Sequence, residues 1–490
     1  MRDSLIISNM VVNSKTLSAS LFWSFLEQGG SSIVSLVVQI ILARLLLPDA
    51  FGVMAILLVF VNLINTLAQS GFGSALVQKK DATRISFSTA FWLSMALSLI
   101  LYIIAFIVSP FLAEIYSMPE LTTYLRVLSL LVFLDSFNSI QRSFLQKQLQ
   151  FKALFRASFL ALSVSACIAI LMAFNGFGIW ALIAQTLSQA IVACIILLIQ
   201  VPWKPSLDFK LHDAKALFDY GWKICLTGIL NTFYTGLSEL IIGKTNSPAE
   251  LGFYSQGRKW PNAAMGAVNN ALQNVLFPAL SELQDNLTAF RGAIKRMLSS
   301  GFYLTCPICF LATIISEPII ALLLGETWLP STLIFQFSCL GYVLLMPQVV
   351  NLRAYMALGN SGLYLKLQII KVVSGAFLFS LVAVLSKNIY IVSAVVLAHT
   401  VLSVLFVDMI PAKRVHGVGA IEQLAIILPT VLLSFAASAI SYPIQFLNLG
   451  YLPQMLIQVI IFTTVYLTGS KVINHPGLSD CLSILSSFSK

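Results

Sequence analysis

Long apolar stretches follow one another along this chain, separated by short segments that contain proline, glycine or basic residues. Each stretch is close to the roughly 20 residues that a helix needs to cross a bilayer. The pattern predicts an all-α, polytopic integral membrane protein with about 14 transmembrane helices. The predicted spans cover residues 17–43, 51–69, 87–113, 121–141, 155–174, 178–201, 217–243, 251–280, 297–324, 329–355, 363–385, 389–410, 421–440 and 452–468.

The eighth predicted span is the least apolar of the set. It contains the carboxamide side chains of Asn262, Asn269, Asn270, Gln273 and Asn274. Polar side chains within a membrane usually face a cavity or another helix. We therefore expect this helix to line a cavity.

One segment of the chain occurs twice. ILARLLLPDAFG, Ile41 to Gly52, matches IIGKTNSPAELG, Ile241 to Gly252, with a basic residue, a proline and a glycine at equivalent places. Polar residues at every fourth position precede both copies, namely Glu27, Ser31, Ser35 and Gln39 in the first and Thr227, Asn231, Thr235 and Glu239 in the second. A further match, LAEIYSMPE with LLGETWLPS, has an offset of 211 residues and places Arg142 opposite Arg353. The matches indicate one structural unit used twice.

The repeat predicts how the chain divides into domains. Six spans in each half give the two halves the same orientation, related by an axis along the membrane normal. We expect an N-terminal lobe over residues 1–201, a cytoplasmic linker over 202–216 and a C-terminal lobe over 217–410. Residues 411–490 then form two extra helices and a cytoplasmic tail.

Composition and charge support a membrane protein and predict its orientation. Hydrophobic residues make up 58% of the chain and charged residues 10%, against about 25% charged residues in an average soluble protein. Of the 29 Lys and Arg residues, 21 lie in the set of alternate loops that includes both termini, five in the other set and three within spans. Both termini are therefore predicted to be cytoplasmic. The basic residues are not arranged as a solvated face with aromatic residues, so nucleic acid is not an expected partner.

The sequence offers no pattern typical of an enzyme or a cofactor site. A phosphate-binding loop of the GxxxxGK[ST] type is absent, and His212, His399, His416 and His475 are far apart. Cys306 and Cys309 form a CxxC within an apolar run, where we expect buried thiols. We predict a protein that is not an enzyme and uses no cofactor or metal.

Charged residues inside the predicted spans are the most informative, because each costs about 2.5–3.5 kcal/mol at the bilayer centre. Glu27 and Asp135 are deep in their spans, where we expect a cavity, an ion pair or a hydrogen bond between packed helices. Arg126, Lys223 and Lys371 lie within two turns of an interface. We expect their long side chains to reach the lipid headgroups.

Four further basic residues lie near the external ends of helices. Arg258 and Lys259 open the polar eighth span, whereas the first copy of the repeat has two aliphatic residues there. This pair either binds an anion through charge-assisted hydrogen bonds or lies in a solvated loop. Arg44 and Lys244, at equivalent places, are either ligands or interface anchors.

Four motifs occur in order along the chain. They are LLLPDAFGVMAILLVFVNLINTLAQSGFGSALVQKKD from Leu45, RSFLQKQLQFKALFRA from Arg142, WKPSLDF with LFDYGW from Trp203, and ELGFYSQGRKWPN from Glu250. Together they resemble the polysaccharide transporter family, the Wzx-type flippases of the multidrug/oligosaccharidyl-lipid/polysaccharide exporter superfamily. The resemblance covers roughly residues 17–410.

This resemblance implies a two-lobe helical bundle in the bacterial inner membrane. It implies that an isoprenoid-diphosphate-linked oligosaccharide, a precursor of lipopolysaccharide or exopolysaccharide, is moved outwards by alternating access. Expected partners are this substrate, membrane lipids, H⁺ or Na⁺ as coupling ion, and the glycan polymerase machinery. The candidate substrate-binding residues are Arg258, Lys259, Arg44, Lys244, Arg142, Arg353 and Asn262. Glu27, Asp135 and Glu239 are the candidates for ion coupling or for pairing with these cations.

Two other classes of function remain open on the sequence alone. A cation-coupled small-molecule antiporter of the same superfamily predicts one dominant buried carboxylate and a less cationic path. A membrane-embedded glycan-assembly enzyme predicts a sizeable external loop with reactive residues, whereas the external connections here are short.

The basic pair of the eighth span gives a first prediction. Replacing Arg258 and Lys259 together with glutamine is expected to abolish glycan export, because it removes both charges while the amides preserve polarity. Export is measured beside the amount of protein inserted in the membrane. Full export by the double variant would contradict a role for this pair in the cavity.

Overall fold

The computed structural model describes residues 23, 26–69, 71–79, 82–447 and 449–480. These residues form helices and loops, with no strand among them. The chain divides into two compact units, Met1–Gly252 and Phe253–Lys490. This boundary differs from the one that the repeat predicts at residues 202–216, because the long helix after the linker packs within the first unit. The predicted division into two six-helix lobes stays a prediction.

The first unit contains the first nine α-helices, preceded by a π-helix at Leu26–Gly30. They are α1 (Ser31–Leu45), α2 (Pro48–Gln69), α3 (Phe72–Gln78), α4 (Arg84–Ile115), α5 (Leu121–Leu128), α6 (Leu131–Lys147), α7 (Phe151–Phe174), α8 (Ile179–Gln200) and α9 (Leu211–Thr245). The boundary between the units falls in α10 (Pro248–Glu282).

The second unit continues with shorter and more broken helices. They are α11 (Leu287–Ile314), α12 (Ser316–Leu323), a 3₁₀ turn (Glu326–Ser331), α13 (Thr332–Tyr342), α14 (Leu345–Ala357), α15 (Ser361–Ser386), α16 (Ile389–Leu402), a π-helix (Ser403–Asp408), α17 (Ala412–Val415), α18 (Ala420–Ser441), a second 3₁₀ turn (Tyr442–Leu447) and α19 (Tyr451–Val472). Cys306 and Cys309 are buried in α11, as expected.

The structure confirms an all-helical membrane protein but not the number of spans. Among the described residues, 11 helices are long and apolar enough to cross a membrane, or 12 if the segments Glu326–Tyr342 and Leu345–Ala357, bent by 41°, form one span. The first predicted span lies partly outside the described residues, which leaves the 15-residue α1. The eighth predicted span is α10, which is long enough but too polar to qualify by composition. The side chains of Asn270 and Asn274 in α10 lie outside the described part.

The repeated segment forms the same corner at both places. α1 ends at Leu45, and the Leu46 N–H donates to the Leu42 carbonyl at 2.9 Å before α2 begins at Pro48. α9 ends at Thr245, and the Asn246 N–H donates to the Ile242 carbonyl at 2.8 Å before α10 begins at Pro248. The helix ends and starts are thus 200 residues apart, as the sequence repeat requires.

The two corners also touch each other through their glycines. A Cβ atom on Gly52 would collide with the Pro248 carbonyl, and one on Gly252 would collide with the Pro48 carbonyl. Glycine permits this approach because it has no side chain. The contact extends the close packing of α2 on α9, where Gly236 lies against Val59.

The predicted linker packs against the rest of the first unit through a buried tryptophan and hydrogen bonds. Trp203 is buried, and its indole N–H donates to the Arg84 carbonyl at 3.3 Å. Asp213 at the start of α9 accepts hydrogen bonds from Lys79 and Ser86, both at 2.8 Å. Burial alone would raise the pKa of Asp213, but these bonds and the nearby positive charges lower it below its ordinary value.

Gly52 is expected to tolerate no side chain. Gly52→Ala places a methyl group against a backbone carbonyl, which we expect to destabilise the protein by about 1–3 kcal/mol. Gly292→Ala in α11, where nothing lies within 4 Å of the added Cβ, is the control and is expected to cause no loss. Thermal unfolding of the purified variants tests this, and equal melting temperatures would contradict the close contact.

Candidate functional site

A polar cavity of about 700 Å³ lies within the first unit. Its walls come from α2, α6, α8 and α9 and from the segment around α3. The polar groups that line it include Asp135, Asn138, Arg142, Gln146, Thr186 and Gln189, together with three serines. A cavity with such a lining inside apolar helices holds water or a polar ligand.

Helix α6 supplies one wall of this cavity because of the spacing of its polar residues. Asp135, the neighbouring Asn138 and Ser139, Arg142 and Gln146 follow one another at intervals of three or four positions and therefore share one helix face. Asp135 and Arg142 were predicted from the sequence as site residues, whereas Asn138, Ser139 and Gln146 were not. The spacing itself was the signal that could have found them.

Arg142 forms an ion pair with Glu27. Its Nη1 lies 3.1 Å from Glu27 Oε1, and its Nη2 donates to Ser158 Oγ at 2.8 Å. The Ser158 hydroxyl in turn donates to Glu27 Oε1 at 3.0 Å, which closes a triangle of three groups. The Arg142 side chain is 34% exposed and that of Glu27 16%, so the cation reaches the cavity while its counter-ion lies behind it.

Asp135 and Asn138 give the same wall hydrogen-bonding capacity. Asp135 Oδ2 accepts a hydrogen bond of 2.7 Å from Asn65 Nδ2. Asn138 Nδ2 donates to the Ala190 carbonyl at 3.1 Å, while the buried Asn138 Oδ1 has no hydrogen-bond partner among the described residues. A buried carboxamide oxygen of this kind is suited to accept a hydrogen bond from a ligand hydroxyl or from water.

The second unit contains the Arg258 group at the start of α10. Arg258 Nη1 donates to the Tyr254 hydroxyl at 3.1 Å, and its guanidinium lies 5.1 Å from the centre of the Tyr254 ring. Asn262, one turn further on, accepts a hydrogen bond of 2.8 Å from the Tyr342 hydroxyl. Arg258 is half-buried, and Lys259 beside it is exposed.

The other candidate residues lie apart from the lining of the cavity. Arg44 and Lys244 are exposed at their helix ends, and Lys244 donates to the Ile115 carbonyl. Glu239 is half-buried in α9. Arg353, the repeat partner of Arg142, is half-buried with its Nη1 3.6 Å from the Met356 sulfur.

The expectation that Lys371 reaches the membrane interface is wrong. Its side chain is 7% exposed and forms an ion pair with Asp408, which is fully buried. Asp408 was not predicted from the sequence, because it lies at the end of a predicted span. Arg126 bonds Ser109 Oγ at 3.0 Å and stacks on Phe106, and the Lys223 side chain lies outside the described part.

A model of the family described as "Polysaccharide biosynthesis protein" matches residues 41–333. This chain belongs to that family. Its relatives include the succinoglycan biosynthesis transport protein ExoT of Rhizobium meliloti, 27% identical over 65% of this chain and 64% of the relative. The lipopolysaccharide biosynthesis protein WzxC of Escherichia coli is 23% identical over 67% of each chain. The chain therefore spans slightly less than two thirds of the length of ExoT.

Two solved structures share the fold. The lipid II flippase MurJ, in an inward closed conformation, matches with a TM-score of 0.72 and 16% identity over 94% of this chain and 99% of its own. An inward-facing multidrug resistance transporter of the MATE family matches with a TM-score of 0.58 and 14% identity over 84% of this chain and 95% of its own. These matches show that the chain shares the fold of the two transporters, and together with the family match and the long apolar helices they indicate a multi-pass integral membrane protein.

The Glu27–Arg142 pair can be tested by its energetic coupling. Glu27→Gln leaves the Arg142 charge partly buried without its counter-ion. This single variant should therefore be less stable than the double variant Glu27→Gln with Arg142→Gln, which removes both charges. We expect a coupling energy of about 1–2 kcal/mol, measured by thermal unfolding of the two single variants and the double variant. The exposed Lys295–Glu422 pair is the control and should give roughly 0–0.5 kcal/mol. Strictly additive effects would show that the Glu27–Arg142 contact is energetically irrelevant.

Proposed function

We propose that this protein is a flippase that moves an isoprenoid-diphosphate-linked oligosaccharide from the inner to the outer leaflet of a bacterial inner membrane. The observation that carries the proposal is the polar cavity of the first unit, with an arginine and several amide and hydroxyl side chains on its walls. An oligosaccharide needs hydrogen-bonding groups in place of water, and a diphosphate needs a cation. The names of ExoT and WzxC support glycan precursors as the cargo.

Arg142 is the group that we assign to the diphosphate. Its guanidinium faces the cavity and holds Glu27 by a single oxygen, Oε1. A diphosphate offers more oxygens in a geometry that a guanidinium binds well, so it competes with Glu27 for Arg142. Asn138, Gln146 and Gln189 are then placed to bond sugar hydroxyl groups.

The remaining candidates belong to other stages of the proposed path. We assign Arg353 to loading, Arg258, Lys259 and Asn262 to holding the head group, and Arg44 and Lys244 to release. Glu27, Asp135 and Glu239 remain candidates for coupling H⁺ or Na⁺, since a carboxylate that loses its cationic partner binds another cation. Contacts with the glycan polymerase machinery belong to the same proposal.

The proposal also fixes orientation. We propose that both termini lie in the cytoplasm, because basic residues are in excess in the set of loops that includes them. The corners at Gly52 and Gly252 then lie on the external side. We propose that alternating access includes movement at these corners, where two backbones touch without side chains between them.

A cation-coupled small-molecule antiporter is the second candidate. The fold shared with the MATE transporter favours it, as does Asp135, a carboxylate in the cavity wall. This candidate predicts that Asp135→Asn alone stops transport while Arg142→Gln has little effect. The flippase predicts that Arg142→Gln has the larger effect.

The substitution Arg142→Gln is expected to stop glycan export and to cause a lipid-linked saccharide to accumulate on the inner leaflet. Losing a hydrogen bond to a charged group costs about 1.5–3 kcal/mol, so apparent substrate affinity should fall roughly 10- to 100-fold. Arg126→Gln is the matched control, because Arg126 and Arg142 both lie in the candidate span Leu121–Lys147, but Arg126 bonds Ser109 and stacks on Phe106.

Cells that carry each variant are compared for surface glycan and for extracted lipid-linked sugars, at equal levels of membrane-inserted protein. The proposal expects accumulation with Arg142→Gln and normal export with Arg126→Gln. If a strain that lacks the protein accumulates no lipid-linked sugar, the flippase function is contradicted.

A further inference from the structure

The ion pair between Lys371 and Asp408 has no role in the site described above. Lys371 Nζ on α15 lies 3.0 Å from Asp408 Oδ1 and 3.1 Å from Asp408 Oδ2. The two side chains are 7% and 0% exposed. This is a complete and fully enclosed ion pair between two membrane-spanning segments of the second unit.

Stability alone does not account for this pair. Removing two charges from water costs several kcal/mol for each ion, and replacing a buried pair with apolar residues is often neutral or stabilising. Asp408 also closes the π-helix Ser403–Asp408, whose widened turn is seen in the 3.0 Å bond from the Met409 N–H to the Val404 carbonyl. Such π-turns occur frequently at functional sites.

The surroundings leave Lys371 with one acidic partner. Among the described residues of α14, α15, α16 and the segment up to residue 419, Asp408 is the only carboxylate. The other titratable or charged groups on these elements and at their ends are Arg353, Tyr355, Tyr364, Lys366, Lys387, Tyr390, His399, Lys413, Arg414 and His416. The Tyr355 hydroxyl donates a hydrogen bond to the backbone carbonyl of Asp408, so it does not occupy the carboxylate that Lys371 binds.

A buried histidine, His399, lies on α16 and contacts α15. His399 Nε2 lies 3.0 Å from Ser374 Oγ, one turn beyond Lys371 on α15, and 3.4 Å from Ser403 Oγ. Its Nδ1 is buried and has no hydrogen-bond partner among the described residues. A second titratable group thus lies close to the pair.

We propose that the Lys371–Asp408 pair is a proton-binding site in the second unit that drives the transport cycle. A proton converts the Asp408 carboxylate to a carboxylic acid, and the charge of the pair rises from zero to plus one. An apolar environment disfavours the unpaired ammonium, so α15 separates from the π-helix until the proton leaves. A proton fits this site better than a metal ion does, because Lys371 Nζ already contacts both carboxylate oxygens.

This inference rests on the proposed transport function, and its test therefore needs a signal that does not depend on the substrate. Infrared difference spectra of the purified protein, recorded without substrate while the pH is lowered, show carboxylic acid groups as they form. We expect wild type to show one carboxyl signal more than the double variant Lys371→Met with Asp408→Asn. The double variant removes both charges, so it should melt at the wild-type temperature or above.

Two controls accompany this variant. Lys295→Met with Glu422→Gln removes the exposed pair of the same unit, so it should lose the signal of Glu422 alone and keep both the Asp408 signal and export. Asp408→Glu keeps a carboxyl group at the site, so it should shift the signal without removing it. This variant tests the proton site even if the double variant does not fold.

Export by the double variant is then measured in cells and should fall to background. An unchanged carboxyl signal in the double variant, or in Asp408→Glu, overturns the proton site. Loss of the signal with full export overturns its role in driving transport. If a strain that lacks the protein accumulates no lipid-linked sugar while the wild-type protein shows the carboxyl signal, the result counts against the flippase function and not against the proton site.

Discussion

The requirement that polar groups inside a bilayer find partners within the protein shapes this structure more than any other constraint. Glu27 meets Arg142 and Ser158, Asp135 meets Asn65, and Lys371 meets Asp408. Glu27, Asp135 and Lys371, three charged residues of the predicted spans, thus have partners inside the protein. The polar face of α6 follows the same rule: its polar residues face a cavity and not lipid.

The two copies of the repeat share a backbone design but differ in their charges. Both corners have the same helix ends, and their glycines touch reciprocally. Arg142 has an acidic partner beside a cavity, whereas Arg353 at the equivalent place contacts a methionine sulfur. The second unit instead contains a buried ion pair in α15 and the π-helix. A duplicated scaffold with unequal charges suits a transporter in which one copy binds cargo and the other responds to protons.

The sequence predicted much of the fold because apolar length and Pro/Gly punctuation are local signals. Every predicted span overlaps helical segments in the part of the chain that the structure describes, although several spans are divided over two or more helices, and the corner at Pro48 and Pro248 lies where the repeat placed it. The partners of the charged residues are not local. Glu27 and Arg142 are 115 residues apart and Lys371 and Asp408 are 37 apart, and only the packing of the helices shows that they meet. The polar spacing on α6 was visible in the sequence, but it does not reveal a cavity without the helices opposite.

The central claim is that the cavity of the first unit binds the charged head of a lipid-linked saccharide through Arg142. The most direct measurement is the binding of a short-chain isoprenyl-diphosphate saccharide to the purified protein by calorimetry, with wild type and Arg142→Lys compared at two salt concentrations. We predict saturable binding by wild type that is weaker at high salt, and clearly weaker binding by Arg142→Lys, because a lysine cannot hold two phosphate oxygens in the fork of a guanidinium. Equal, salt-independent binding by both proteins would contradict the account.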